Sequence, residues 1–170
     1  MSGIIGAGAV NNSGVVNRFP TGHVLRAWYN ESDAAYQTFT NNTTTYWDEL
    51  ALAIEGGGEP TDYLQVTINL NGIYNGADSG VILWVGVQAD DDENFSSSTQ
   101  FGTIDLYTRT LYVDSARGLN IDGSWTIRDE HPYNRNYWIR PQIYVSSGNL
   151  NINQSSVKST INALEIKGAP

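Results

Sequence analysis

The feature that most constrains this chain is a two-residue alternation of apolar and polar side chains, broken at short intervals by turn-forming residues. Leu64, Val66, Ile68 and Leu70 alternate with Gln65, Thr67 and Asn69. Successive side chains of an extended strand point to opposite faces. This run therefore reads as a half-buried strand, apolar inward and amide outward. Leu50, Leu52 and Ile54 alternate with small residues. The run from Val81 to Val87 is apolar on both faces, as in a central strand or one beneath an interface. Further strands are expected at 103–107, 110–114, 124–128, 136–145, 149–153 and 159–166, which are rich in Ile, Val, Thr, Tyr and Trp. No stretch sustains a helical period for three turns. The nearest, Asp48 to Ile54, is short and runs into glycines.

The punctuation agrees with a chain of many short strands. Gly56-Gly57-Gly58-Glu59-Pro60, Asn71-Gly72, Asn75-Gly76, Asp122-Gly123 and Ser147-Gly148-Asn149 read as turns between them. That pattern means a sandwich or a barrel, and a two-sheet jelly roll fits the count and length best. The expected fold class is all-β, a single antiparallel β-sandwich with an extended N-terminal arm. Pro141 removes a backbone donor from the segment Tyr137 to Val145, which is therefore expected at an edge or a bulge. No repeat of fixed period is present, which argues against a propeller or a β-helix.

A length of 170 residues bounds the chain to one domain, or one domain plus an arm. Lys plus Arg number 9 and Asp plus Glu 18, a net charge of −9. Proteins that grip a phosphate backbone present clustered Lys and Arg, so no nucleic-acid partner is expected. No apolar run approaches the roughly 20 residues that span a bilayer, and no membrane partner is expected. Cysteine is absent, which excludes disulfides, a thiolate nucleophile and Cys-ligated zinc. The N-terminus lacks the basic and apolar regions of a signal peptide.

Residues 1–22 are rich in Gly, Asn and Ser and read as an extended arm, with residues 23–170 as the jelly-roll domain. The arm nevertheless carries Ile4, Ile5, Val10, Val15 and Val16, and closes on Phe19-Pro20-Thr21-Gly22. Its apolar residues would either cover the chain's own sheet or grip a neighbour.

The start of the chain resembles bacteriophage structural proteins, especially those of marine and freshwater phages. The residues that carry this are Ser2-Gly3-Ile4-Ile5-Gly6, Ser13-Gly14-Val15-Val16 and Phe19-Pro20-Thr21-Gly22-His23-Val24-Leu25. A Thr-rich stretch from Thr38 to Thr45 before Tyr46-Trp47-Asp48 is similar too. So is the closing strand Ser159-Thr160-Ile161-Asn162-Ala163-Leu164-Glu165-Ile166. The resemblance covers both ends and follows the middle only in strand rhythm. It implies a β jelly roll of the usually trimeric kind found in tail fibres and on capsid surfaces. A fibre needs a shaft, and only an arm precedes the domain here. The expectation is therefore a protein seated directly on a shell.

Several constellations are candidates for chemistry. Asp90, Asp91, Asp92 and Glu93 offer carboxylate oxygens that suit Ca²⁺, but their spacing is not that of an EF-hand loop, and a solvated acidic loop is the plainer reading. Asp129-Glu130-His131 is contiguous, which places neighbours on opposite faces of a strand. Only His23 and His131 could serve a histidine-based triad, and neither Gly-x-Ser-x-Gly nor His-Glu-x-x-His occurs. No catalytic residue is assigned, no cofactor is expected, and the chain reads as non-enzymatic. The aromatic pairs Trp28-Tyr29, Tyr46-Trp47 and Tyr137-Trp138 should each send one ring inward and one outward, where Tyr and Trp suit sheet packing, an interface or a sugar. Tyr133, Arg135, Tyr137 and Trp138 form the candidate recognition surface. Ile4, Ile5, Val15, Val16 and Phe19 form the candidate capsid-contact arm.

The leading expectation is a homotrimeric capsid decoration or cement protein on the surface of a phage virion. Its partners would be its own copies and the major capsid protein or another virion protein. The alternatives are a tail-fibre or tail-tip module that recognises host glycans, and a cellular carbohydrate-binding module.

Overall fold

A computed structural model describes residues 21–33, 35, 37–40, 44–56, 58–75, 81–96, 109–113, 121–130, 135–146, 148–153 and 156–168, with backbone alone for 109–113 and 121–130. Eleven strands are found among them: β1 (Val24–Glu31), β2 (Gln37–Thr40), β3 (Thr44–Tyr46), β4 (Leu52–Ile54), β5 (Tyr63–Asn75), β6 (Val81–Asp90), β7 (Arg109–Val113), β8 (Ile121–Glu130), β9 (Tyr137–Val145), β10 (Asn149–Ile152) and β11 (Thr160–Ile166). The segment that most nearly carried a helical period is a single 3₁₀ turn, Asp48–Leu50, leading into β4.

The strands form two antiparallel sheets. In the first, β1 pairs with β11, β11 with β5 and β5 with β8, while β2 and β10 continue the ribbon of β1 and β11 beside the far end of β5. In the second, β3 and β4 pair with β9, β9 with β6 and β6 with β7. Taking β1 with β2, β3 with β4 and β10 with β11 gives eight passes of the chain. The first sheet holds passes 1, 8, 3 and 6, and the second holds passes 2, 7, 4 and 5. This is the jelly-roll order, and the antiparallel sandwich expected from the sequence is the fold.

Alternation builds the core. Leu64, Val66, Ile68 and Leu70 of β5 face Leu83, Val85 and Val87 of β6 and Ile139 and Ile143 of β9 in one buried cluster. Each such side chain contributes roughly 1.5–3 kcal/mol on burial. The run Val81 to Val87 is a central strand, between β7 and β9.

Three expectations are corrected here. The segment that holds Pro141 is not an edge strand: β9 lies between β6 and the β3/β4 pair. The proline is tolerated because its partner strand is interrupted opposite it. β3 pairs with residues 142–144 and β4 with 137–139, and the 3₁₀ turn lies between them. The Pro141 carbonyl accepts from the Trp47 N–H at 3.0 Å, so its ring nitrogen faces that same gap, where no ladder donor is required. Asn71-Gly72 is likewise not a turn between strands. It is a bulge inside β5, with Gly72 at φ 60° and a register shift against β8 between Leu70 and Ile73. The inserted residue returns Ile73 to the buried face. Asp122-Gly123 sits within β8, its backbone paired to this part of β5.

The breaks in the β1/β2 and β10/β11 ribbons are joined by a buried polar knot. Asn153, at φ 63°, donates to Ser32 Oγ at 2.8 Å and to the carbonyls of Asp33 and Ala35 at 3.1 and 3.3 Å. Its Oδ1 accepts from Ser159 Oγ at 2.6 Å. The β1 side of the sandwich is stitched to the other sheet by Asn30, which donates to the carbonyls of Glu49 and Ala51, both at 2.9 Å.

Candidate functional site

The two outer faces of the sandwich differ in chemistry. On the first sheet, Gln65, Thr67 and Asn69 of β5 stand beside Thr160 and Asn162 of β11. Asn69 Nδ2 donates to Thr160 Oγ1 at 3.0 Å, and Thr38 Oγ1 to Asn151 Oδ1 at 2.8 Å. At the β1 margin, the Tyr29 hydroxyl donates to Glu31 at 3.0 Å, and Glu31 also pairs with Lys158. Lys158 and Tyr29 together hold the Glu31 carboxyl below its ordinary range, while the bond to Glu31 pushes the Tyr29 phenol up.

The outer face of the second sheet is aromatic around one cation. Cross-strand register places Thr44, Tyr144 and Trp84 in one row, and Tyr46, Gln142 and Gly86 in the next. Arg140 pairs with Gln88, and Trp138 with Asp90 and Ala53. The Trp84 and Tyr144 rings lie 4.8 Å apart at 57°. The Arg140 guanidinium carbon is 4.3 Å from the Tyr46 ring centroid and 4.0 Å from that of Phe95. Its Nε donates to Gln88 Oε1 at 2.7 Å, and Nη1 pairs with Asp48. Phe95 follows β6 at φ 52° and turns back over the sheet to reach this position. Four residues, Tyr46, Asp48, Gln88 and Phe95, thus hold one guanidinium against two rings. Aromatic residues and Arg are the types that dominate binding energy at protein interfaces, and cation–π contacts hold such groups rigid.

The sequence-predicted residues fall in different places. Ile4, Ile5, Val15, Val16, Phe19 and Tyr133 lie outside the described residues. Trp138 is half-buried on the aromatic face and Arg135 is exposed beside it in sequence. Tyr137 is corrected: it is 1% exposed and belongs to the core, because strand alternation sends it inward when Trp138 points out. The other pairs divide the same way, Trp47 in and Tyr46 out, Trp28 against the core and Tyr29 out. Sequence reasoning missed Arg140, Gln88, Phe95 and the Trp84–Tyr144 contact. Alternation could have put Trp84 and Tyr144 outward, but nothing local brings Phe95 or Asp48 to Arg140.

In the acidic run, the carboxylates build the turn. Asp90 Oδ1 accepts from the Asp92 N–H at 3.0 Å, and Asp92 Oδ1 from the Asn94 N–H at 3.1 Å. The Ser96 hydroxyl and the Asn94 N–H hold the Asp92 carboxyl below its ordinary range. Among the described residues, no three Asp, Glu or His side chains converge as a metal-ligand set, and no helix is long and apolar enough to cross a membrane.

No protein-family model and no curated protein matches the chain. Among solved structures it is similar to the VP2 subviral particle of infectious bursal disease virus, at 12% identity and TM-score 0.41 over 85% of this chain and 38% of that one. It is similar also to the infectious bursal disease virus Gt strain, at 11% identity and TM-score 0.42 over 85% of this chain and 38% of that one. The chain thus spans about two-fifths of the length of the proteins it matches.

Proposed function

We propose that the protein is a non-enzymatic virion protein of a phage, a homotrimeric jelly roll that decorates or cements the capsid and is attached through residues 1–22. The observation that carries this reading is the contrast between the two outer faces. On the first sheet, β5 and β11 show water a neutral ladder of amides and hydroxyls, with the Glu31–Lys158 pair at the β1 margin. The other shows Trp84, Trp138, Tyr144 and Tyr46 around a fixed Arg140. A small sandwich gains little by holding so many rings outward, whereas contact with further copies or with a shell would cover them. The sequence resemblance to phage structural proteins supports the same reading, and the jelly roll is a fold that capsid proteins use.

The test is removal of residues 1–18. The truncated chain should stay folded and trimeric by light scattering but lose affinity for shells lacking the protein. A monomer at micromolar concentration, or unchanged decoration by the truncated chain, contradicts the reading. A second reading, a tail module for host glycans, is favoured by the Trp84–Tyr144 contact, since rings on a sheet face also stack on sugars. Glycan-array binding abolished by Trp84→Ala would favour it.

A further inference from the structure

We propose that Asp62 and Lys167 form an acid-releasable latch on the point where the N-terminal segment enters the fold. Asp62 immediately precedes β5 and Lys167 immediately follows β11, and the register Tyr63↔Ile166 makes them the next facing pair. The Asp62 side chain is fully buried. Its Oδ1 accepts from the Gly168 N–H and from Lys167 Nζ, both at 3.1 Å, and its Oδ2 accepts from the Glu59 N–H at 2.8 Å. Lys167 in turn holds the chain entry. Its carbonyl accepts from the Gly22 N–H at 2.7 Å, and its own N–H donates to the His23 carbonyl at 2.8 Å. One buried carboxylate therefore fixes residues 167 and 168; residues 22 and 23 are bonded to Lys167, and the Thr21 hydroxyl donates to the Gly168 carbonyl at 3.5 Å.

The surroundings make the carboxylate's charge essential. Glu165 is buried and paired with Arg26, whose Nη1 donates to the Gly56 carbonyl at 2.8 Å. Gly58 separates the two carboxylates: a Cβ there would collide with Glu165 Oε1 and stand 3.1 Å from Asp62 Oδ2. Among the described residues, the charged groups around Asp62 are thus Lys167, Glu165 and, beyond it, Arg26. Glu59 contributes its backbone N–H, and the exposed His23 contributes its carbonyl to Lys167. With all four side chains charged, the cluster is neutral. Protonating Asp62 leaves a partly buried Lys167 without its counter-ion and weakens an acceptor of three hydrogen bonds.

Burial by itself raises the Asp62 carboxyl, but the Glu59 and Gly168 N–H groups and Lys167 outweigh it and hold the group below its ordinary value of 3.8. A carboxyl lowered on folding contributes stability that is complete above its unfolded value and is lost as pH falls through its folded value. The latch is therefore closed at neutral pH and opens in acid. The central strand β5, Tyr63–Asn75, holds no carboxylate and no histidine, so its ladder should stay closed.

Amide hydrogen exchange on the full chain tests this, corrected for intrinsic rates, as pH is lowered from about 7 to about 3, through the carboxylate range. Protection at Gly22, Lys167 and Gly168 should fall severalfold, up to about sevenfold at pH 3, the ceiling set by an open-state carboxyl at its ordinary value of 3.8. Val66 and Ile68 in β5 should keep theirs. Asp62→Asn should show the loss already at neutral pH, with no further acid step. If that variant does not fold, Lys167→Gln, which keeps the carboxylate, should lose protection at the same three amides. Unchanged protection in acid, or loss in step with Val66 and Ile68, overturns the proposal.

Discussion

Arg140 donates through Nε to Gln88 Oε1 at 2.7 Å, joining neighbouring strands on the outer face of the second sheet. The amide of Gln88 is buried, and the same guanidinium lies between Tyr46 and Phe95. This makes Arg140 the organising residue of the aromatic face.

Replacing Arg140 with Leu should therefore destabilise the domain by about 2–4 kcal/mol. Of this, about 1–3 kcal/mol comes from a buried Gln88 left without its donor, and roughly 0.5–2 kcal/mol from the lost cation–π contacts. Arg140→Lys should be intermediate, because an ammonium cannot lie flat between two rings while bonding sideways. Urea denaturation measures both. A change below about 0.5 kcal/mol, the usual range for surface substitutions, would show that the cluster is incidental.

Asn153 offers a test in which two costs separate. Asn153→Ala should lose about 2–4 kcal/mol, since it strips partners from buried Ser32 and Ser159 and leaves a Cβ residue at positive φ. Asn153→Gly loses the same hydrogen bonds without the backbone strain. It should be the milder variant by about 1 kcal/mol. Equal losses would mean that the left-handed backbone contributes nothing.

Chelation should leave the melting temperature unchanged. Asp92 already accepts from Asn94 and Ser96, and Asp90 from the Asp92 N–H. A fall in Tm of more than roughly 5 °C, about 1 kcal/mol for a domain this size, would show that the run from Asp90 to Glu93 holds a cation after all.

Strands β5, β6, β9, β10 and β11 were legible because apolar residues recur along them at two-residue spacing and face one core, while the strand expected at 103–107 lies outside the described residues. The strands ahead of Trp47 were not. β1 turns Arg26 toward Glu165 and the Gly56 carbonyl and Asn30 toward the Glu49 and Ala51 carbonyls, and carries a register shift after Val24, which blurs the two-residue period. The same non-local logic hid the meaning of Pro141. A proline in an interior strand is unfavourable until its neighbour breaks opposite it, and that break at Trp47 is about ninety positions away in sequence. Glycine carried a similar ambiguity: Gly72 is a bulge and Gly148 a turn, yet both take positive φ. On the candidate face, Trp138 was legible from alternation. Arg140 was not, because Tyr46, Asp48, Gln88 and Phe95 meet it only through the fold.

A density map of the whole particle that carries this protein tests the central claim most directly. The expected result is jelly-roll density in clusters of three on the outside of the shell, with residues 1–22 running into contact with neighbouring subunits. Jelly-roll density found only at the tail, or no such density on the particle, would contradict it.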